Sequence, residues 1–496
     1  MSGIRQVFGD ERLHTAFTLY PYAFNETPSA GSAQELRDSL PFHEGNHTLI
    51  VEEGGRTVAT AAAIPAHQNL RGTVMPMAAV AWVATHPAAR RQGHSRRLMR
   101  QLHSDMLDKG HWLAALYPFH PSFYERFGYI GLPLNRTASF PPEGLASLLG
   151  VTLPGEVVWQ NIHDGFDVYR AFHRRLLSER HGFTLTPDYR AVRARDSADR
   201  WIATATVDGE VIGLLTYRVD GYGGCLRADE LLYTNALGRA LLLQFLAQHA
   251  YQVSQVVITV APDEFPETWA TSLTVRTATE SAFPTSPPLM GRLLSIDALR
   301  GARCGPGRVE IELVEDELLA GRYLLDGTGG TIAVSTTRGG AETATLTAAG
   351  LSGLAYGVLD PIDVVARGLG RSPRVRRGAT RTPASAHAAR VRQRLAASSG
   401  HGGGAGQGCP PTSRKVVSIP AGPLDCGTGT AGPGAGINRR RTRGTIRTAF
   451  PGVTPGVATG ACQALVARAV RLGPAHRVPA GRPTRADHHP RANTGR

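Results

Sequence analysis

The sequence predicts an α/β (α+β) protein, with mixed central sheets flanked by helices. Three observations point there. A strand–loop–helix–strand order occurs in the first third of the chain, and the same order returns in weaker form after residue 200. A strand-rich region from Gly307 to about Gly370 then ends in a helical stretch. Finally, 496 residues suffice for about three domains.

The elements can be read in order. "HTLIVEEGGRTVATAAAIPAHQ" (His47–Gln68) predicts two strands around a Gly54–Gly55 turn. "MPMAAVAWVATHP" (Met75–Pro87) predicts an apolar strand. The overlapping apolar run Val74–Ala84 falls short of the roughly 18 apolar residues of a membrane span. "SRRLMRQLHSDMLDKG" (Ser95–Gly110) predicts a helix with Leu98, Met99, Leu102 and Met106 on one face and Gly110 as its stop. "HWLAALYPF" (His111–Phe119) predicts the next strand. In the weaker echo, Trp201–Val219 gives two strands around Asp208–Gly209, and Leu226–Ala250 gives a strand feeding a helix.

Charge is divided unevenly. The whole chain carries a formal +14, but Arg371–Arg496 holds 22 Lys and Arg against two acids, Asp425 and Asp487. The rest, Met1–Gly370, has 32 basic and 38 acidic residues and is mildly acidic. The tail has one aromatic, Phe450, and is dominated by Gly, Pro, Ala, Thr and Arg. Such a segment cannot bury enough apolar surface to offset its ordering entropy. It is expected to be a disordered basic arm, which would make nucleic acid a rival partner, or the translation of GC-rich DNA out of frame. The five cysteines form no CxxC and predict neither disulfides nor a zinc site. The N-terminus lacks the apolar core of a signal peptide, so a cytoplasmic location is expected.

The chemistry concentrates in "PAARRQGHSRRLMRQL" (Pro87–Leu102). A strand–helix junction presents unpaired backbone N–H groups and the positive end of the helix dipole, which together favour an anion. Gly93 permits close approach of a phosphate, and Arg90, Arg91 and Arg96 add charge. The bland alternative is a turn with solvated arginines.

The junction is followed, after the next strand, by "FYERFGY" (Phe123–Tyr129). At this spacing the pair resembles the GNAT N-acetyltransferases, and more narrowly the Eis (enhanced intracellular survival) type. The resemblance implies tandem GNAT domains over 1–135 and 136–292, the second degenerate. It further implies a truncated sterol-carrier-like domain over 293–371, entered through "PLMGRLLSIDALRG", before the basic tail over 372–496.

The implied activity is acetyl-CoA-dependent N-acetylation by direct attack of an amine on the thioester. The acceptor would be aminoglycoside-like, polyamine-like or a lysine. Val83, Ala84 and Thr85 would pair with the pantetheine arm, and a backbone N–H near Val83 would stabilise the oxyanion. Arg91, Gln92, Gly93, His94, Ser95 and Arg96 would cradle the pyrophosphate. Phe119 and His120 would lie beside the cofactor, and Tyr124 would be the general acid, a phenol of ordinary pKa near 10. Family enzymes form hexamers and use their C-terminal carboxylate as general base. This chain ceases to match near Gly370, so a missing or replaced base is expected, leaving an acetyl-CoA-binding remnant without turnover as an alternative. His120 and Glu125 are substitute bases, against a pocket-wall role for His120 and a surface pair with Arg126 for Glu125. Tyr129 is expected to pack. His86, His94, His111 and His120 lack metal-ligand spacing, and no metal is expected.

Overall fold

The protein is described by a computed structural model covering residues 3–24, 32–197, 199–283, 286–340 and 343–371. The basic tail, with the expectations attached to it, lies outside the described residues.

Strands β1 (Gly3–Val7), β2 (His47–Glu53), β3 (Arg56–Leu70), β4 (Thr73–Thr85), β5 (Leu113–Leu116) and β6 (Ile130–Gly131) belong to the first sheet. The turns expected at Gly54–Gly55 and Asp208–Gly209 are present, and these residues take the positive φ that tight hairpins require. The helix His94–Asp108 covers one face of the sheet. Leu98, Met99, Leu102 and Met106 are at most 1% exposed and pack on Ala59, Ala61, Ala63 and Ala78. Burying each such side chain contributes about 1.5–3 kcal/mol. Gly110, at φ +81, ends the helix, with its N–H on the Leu107 carbonyl and the His111 N–H on that of Met106. The strand expected over 111–119 forms only at Leu113–Leu116.

The second sheet contains β7 (Arg136–Phe140), β8 (Glu156–Asn161), β10 (Trp201–Val207), β11 (Glu210–Val219), β12 (Cys225–Tyr233), β13 (Gln255–Val260) and β14 (Arg276–Ala278). The short β9 (Thr184–Leu185) instead pairs with β3. Its order, β14-β7-β13-β12-β11-β10-β8, repeats the plan of the first. A helix, Ala236–Ala247, follows β12. Its N-cap, Asn235, accepts from the Gly238 N–H, so a side chain of the protein itself satisfies the first turn.

The two sheets exchange strands. The first runs β1-β2-β3-β4-β5-β15-β6, where β15 (Met290–Leu293) comes from beyond the second unit. Conversely β7, the next strand along the chain after β6, sits between β13 and β14 in the second sheet. The boundary expected at 292/293 therefore falls inside β15, a strand of the first sheet. Hydrophobic periodicity identifies strands but not which sheet receives them. A fragment of residues 1–135 is expected to show no cooperative melt, because the β5 edge lacks β15. Residues 1–371 are expected to melt cooperatively, and circular dichroism distinguishes the two.

The third unit is a five-stranded sheet, β18-β17-β16-β19-β20, formed by β16 (Arg308–Val314), β17 (Gly321–Asp326), β18 (Ala333–Thr336), β19 (Ala344–Thr347) and β20 (Gly370–Arg371). The helical stretch before its end divides in two, Ala348–Tyr356 and Pro361–Ala366. Gly357, at φ +70, closes the first, and Asp360 with Pro361 starts the second. This unit shares one core with the first sheet: Met75, Met77, Leu113 and Leu293 pack with Ile311, Leu346, Leu351 and Tyr356. No helix among the described residues is long and apolar enough to cross a membrane.

Candidate active site

The site begins where β4 leaves its neighbours. On one side β4 pairs in parallel with β5 only from Met77 to Ala79. Beyond that point Val80–Thr85 has no ladder partner on the β5 side among the described residues. On the other side the β3 register shifts so that Trp82 and Val83 stand opposite Ala61 alone. This is a bulge, and Trp82 occupies it at φ +53. A tryptophan in the left-handed region is strained. Its ring is fixed by Tyr20, stacked at 5.6 Å, by His43 at 4.5 Å, and by the Arg190 guanidinium at 5.1 Å. The bulge directs Val83–Thr85 toward a cleft of about 900 Å³.

The loop after β4 supplies the cleft's polar end. Arg91 at φ +65 and Gly93 at φ +85 bracket Gln92. The helix His94–Asp108 then starts with Gly93 as its N-cap. Its first-turn N–H groups have no intrahelical acceptors, and alternating backbone of this kind forms an anion-binding concavity. A Cβ at Gly93 would meet no protein atom within 4 Å, so the space beside it is open. Ser95 Oγ lies 2.8 Å from Thr85 Oγ1, tying the helix start to the end of β4. His94 is buried, with Nε2 3.4 Å from Gln92 Oε1 and 3.6 Å from Glu53 Oε1. Arg90, Arg91, Arg96 and Arg126 all line the cleft, and its described lining includes no Asp or Glu. A cationic cleft thus lies in a mildly acidic body.

Tyr124 also lines the cleft, from the short helix Pro121–Glu125. It is 3% exposed, and its ring meets Phe119 at 5.6 Å and Phe123 at 4.9 Å. Burial pushes its phenol well above the ordinary tyrosine range, a correction to the expectation of a pKa near 10. Tyr129 is absent from the lining and fully buried, with its hydroxyl 2.8 Å from His103 Nε2. Its expected packing role fits this position. Tyr129→Phe is expected to cost about 1–3 kcal/mol in urea unfolding, because His103 Nε2 loses its partner, with turnover unchanged.

The cleft brings together Val83, Ala84, Thr85, Arg91, Gln92, Gly93, His94, Ser95, Arg96, Phe119 and Tyr124. His120 is not among its walls. It is exposed, with Nδ1 2.9 Å from Ser122 Oγ. Glu125 pairs with Arg367 of the third unit at 2.6 Å, not with Arg126. Arg126 instead lies over the Phe123 ring at 4.8 Å. Sequence reading missed Tyr22, Ala23 and Phe24, which come from an N-terminal helix, and Arg126. Arg126 was within reach, since it lies inside "FYERFGY". Nothing local marked residues 22–24.

A family model described as an acetyltransferase (GNAT) domain matches residues 4–130, and another of the same description matches residues 184–283. The N-acetyltransferases Eis of Mycobacterium tuberculosis and Mycobacterium bovis are 29% identical to this chain over 118 residues. The match covers 23% of this chain and 29% of each relative, so the similarity spans less than a third of their length. Among solved structures, Eis1 from Mycobacterium abscessus superposes with a TM-score of 0.61 at 18% identity, over 75% of this chain and 94% of that one. A probable N-acyltransferase from Enterococcus faecalis gives 0.61 at 17% identity, over 80% and 96%. These structural likenesses concern the fold. The chain carries two GNAT acetyltransferase domains in tandem and is similar in sequence, over 118 residues, to mycobacterial Eis.

Proposed function

We propose that the first GNAT domain transfers an acetyl group from acetyl-CoA to an amine. One observation carries this reading: a strand edge without a ladder partner among the described residues, a glycine-centred cradle and a buried tyrosine all open on a single cleft. Acetyl-CoA supplies an activated acetyl group whose transfer releases a thiolate. The residues present suit an extended ligand with a dianionic head. The free edge of β4 at Val83–Thr85 offers backbone groups to an amide-bearing chain. The backbone around Gly93, with Arg91 and Arg96, offers donors and positive charge to a pyrophosphate.

In the reaction the amine nitrogen forms a bond to the thioester carbon, and the carbon–sulfur bond breaks. Tyr124 Oη gives its proton to the departing sulfur and regains one from solvent, while the proton lost by the attacking nitrogen leaves to water. The backbone N–H near Val83, turned by the bulge, stabilises the oxyanion. The low-dielectric wall that raises the Tyr124 phenol also raises the sulfur's proton affinity, since both are anions when deprotonated.

The acceptor is read as an aminoglycoside-like, polyamine-like or lysine amine. A cytoplasmic homo-oligomer, a hexamer in the Eis pattern, is the assembly that goes with this reading, with the third unit as its sterol-carrier-like domain.

Acetyl-CoA at a hundredfold excess over Kd is expected to stabilise the fold by about 2.7 kcal/mol and so to raise the melting temperature. CoA release with a panel of amines then reads turnover. No thermal shift would overturn the cofactor assignment, and a shift without CoA release would mark a binding remnant.

A further inference from the structure

We infer that the third unit positions Tyr124, acting through Arg292 and Arg367. The inference rests on Tyr124 being the proton donor. Tyr124 sits in a tight turn. Its carbonyl accepts from the N–H of Phe127 at 2.9 Å and of Tyr129 at 3.3 Å, and the Glu125 carbonyl accepts from Gly128 at 2.9 Å. Too few bonds are internal to a five-residue helix for it to fix its own place, so attachments from outside set where the phenol lies.

Those attachments come from far along the chain. Arg292, on the exchanged strand β15, is 2% exposed. Its Nη1 donates to the Phe127 carbonyl, three residues after Tyr124, and its Nε donates to the Leu293 carbonyl at 3.0 Å. Its Nη2 lies 3.3 Å from both carboxylate oxygens of Asp316, in the third unit. Asp316 is itself held, since its Oδ1 accepts from the N–H groups of Leu318 and Leu319 at 3.1 Å each. The guanidinium also lies 5.9 Å from the centre of the Tyr129 ring, which stands 6.1 Å from that of Tyr124.

A second tie reaches the residue beside the phenol, where Arg367 Nη2 donates to Glu125 Oε2 at 2.6 Å. Between these ties the backbone is closely packed: a Cβ on Gly128 would come within 2.7 Å of Ala348 Cβ, on the helix Ala348–Tyr356. Two arginines and one close backbone contact therefore join the Tyr124 turn to the third unit. Arg292 and Arg367 are not among the described lining of the cleft, and they are positioning residues.

The test uses residues 1–496 with Asp316→Asn and Arg367→Gln, each made in the native and the Tyr124→Phe background. Misplacing a reacting group by about an ångström costs up to about 10²-fold. Asp316→Asn is therefore expected to lower kcat about tenfold or more, with KM for acetyl-CoA changed less than about twofold, because neither Arg292 nor Asp316 is among the cleft lining that includes the Gly93 cradle. Arg367→Gln, at an exposed pair, is expected to give a smaller loss of the same kind. In the Tyr124→Phe background neither variant is expected to lower kcat further, since a misplaced phenol and an absent one leave the same deficit. Arg292→Lys is expected to recover part of the rate lost in Arg292→Met.

Equal losses in both backgrounds would show a general structural role and overturn the inference, as would an unchanged kcat in Asp316→Asn. If Asp316→Asn does not fold, Arg367→Gln decides on the same two criteria. Should Tyr124→Phe keep full activity, the assignment of the proton donor fails instead, and that result is separate from the others.

Discussion

Tyr124→Phe is expected to lower kcat by about 10²-fold or more, the usual worth of a positioned general acid, with little change in KM for acetyl-CoA. The substitution removes one oxygen from a ring packed between Phe119 and Phe123, so the fold and the cleft survive. The thermal shift from acetyl-CoA should persist in the variant, separating loss of chemistry from loss of binding. The pH profile carries a sharper signature. Burial raises the phenol's pKa, so the proton to be donated is retained to higher pH than in a free tyrosine. Activity should climb as the acceptor amine deprotonates and then hold level through pH 10, with no falling limb near the ordinary tyrosine value. A descending limb centred near 10 would show that the donor is a solvated phenol or another group.

Gly93→Val is expected to weaken acetyl-CoA binding about tenfold or more. Gly93 sits at φ +85, where an L-residue costs about 1–2 kcal/mol and a β-branched one suffers most. No protein atom lies within 4 Å of the position a Cβ would take, so no internal clash accompanies the change. Its cost is borne by the turn, which must move its N–H groups away from the anion, and by the ligand, which meets a side chain in the space it needs. Isothermal titration should show the loss in Kd, with kcat at saturation nearly unchanged. Gly93→Ala should lie between glycine and valine. An equal affinity for all three would mean that the phosphate end binds elsewhere. The opposite partition between kcat and KM at Tyr124 and Gly93 is the main discriminating feature of the two-ended cleft.

Much of this site could be read from sequence because its signals are local. The helix face formed by Leu98, Met99, Leu102 and Met106 follows from period 3.6, and all four are buried. Gly93, Arg91 and Arg96 stand at a strand–helix junction whose chemistry depends on backbone geometry within a few residues. Tyr124 and the cradle, near 30 residues apart in sequence, meet across a single strand–helix–strand unit. Where local reasoning failed, the partner was distant. Local reasoning pairs Glu125 with its neighbour Arg126, yet Arg367 reaches it from the third unit, 242 residues away. The resemblance implies a place beside the cofactor for His120, but the residue lies exposed just before the helix that begins at Pro121, outside the cleft lining. The bulge at Trp82 had no sequence mark, because nothing about tryptophan announces a positive φ.

The sequence by itself determined the strand–loop–helix–strand order of the first unit and its weaker echo, the glycine-centred junction, the motif holding Tyr124 and the division of charge between body and tail. Each rests on residue periodicity, turn chemistry or composition, which act over short stretches of chain. Only the tertiary structure decided that β7 and β15 are exchanged between the two sheets, that Arg292 and Asp316 lie behind the Tyr124 turn, and that the cleft lining draws Tyr22–Phe24 from the N-terminus. These depend on which distant segments share a sheet or a core. Hydrogen-bonded sheet edges accept any strand of suitable register, and the choice is settled by the packing of the whole chain.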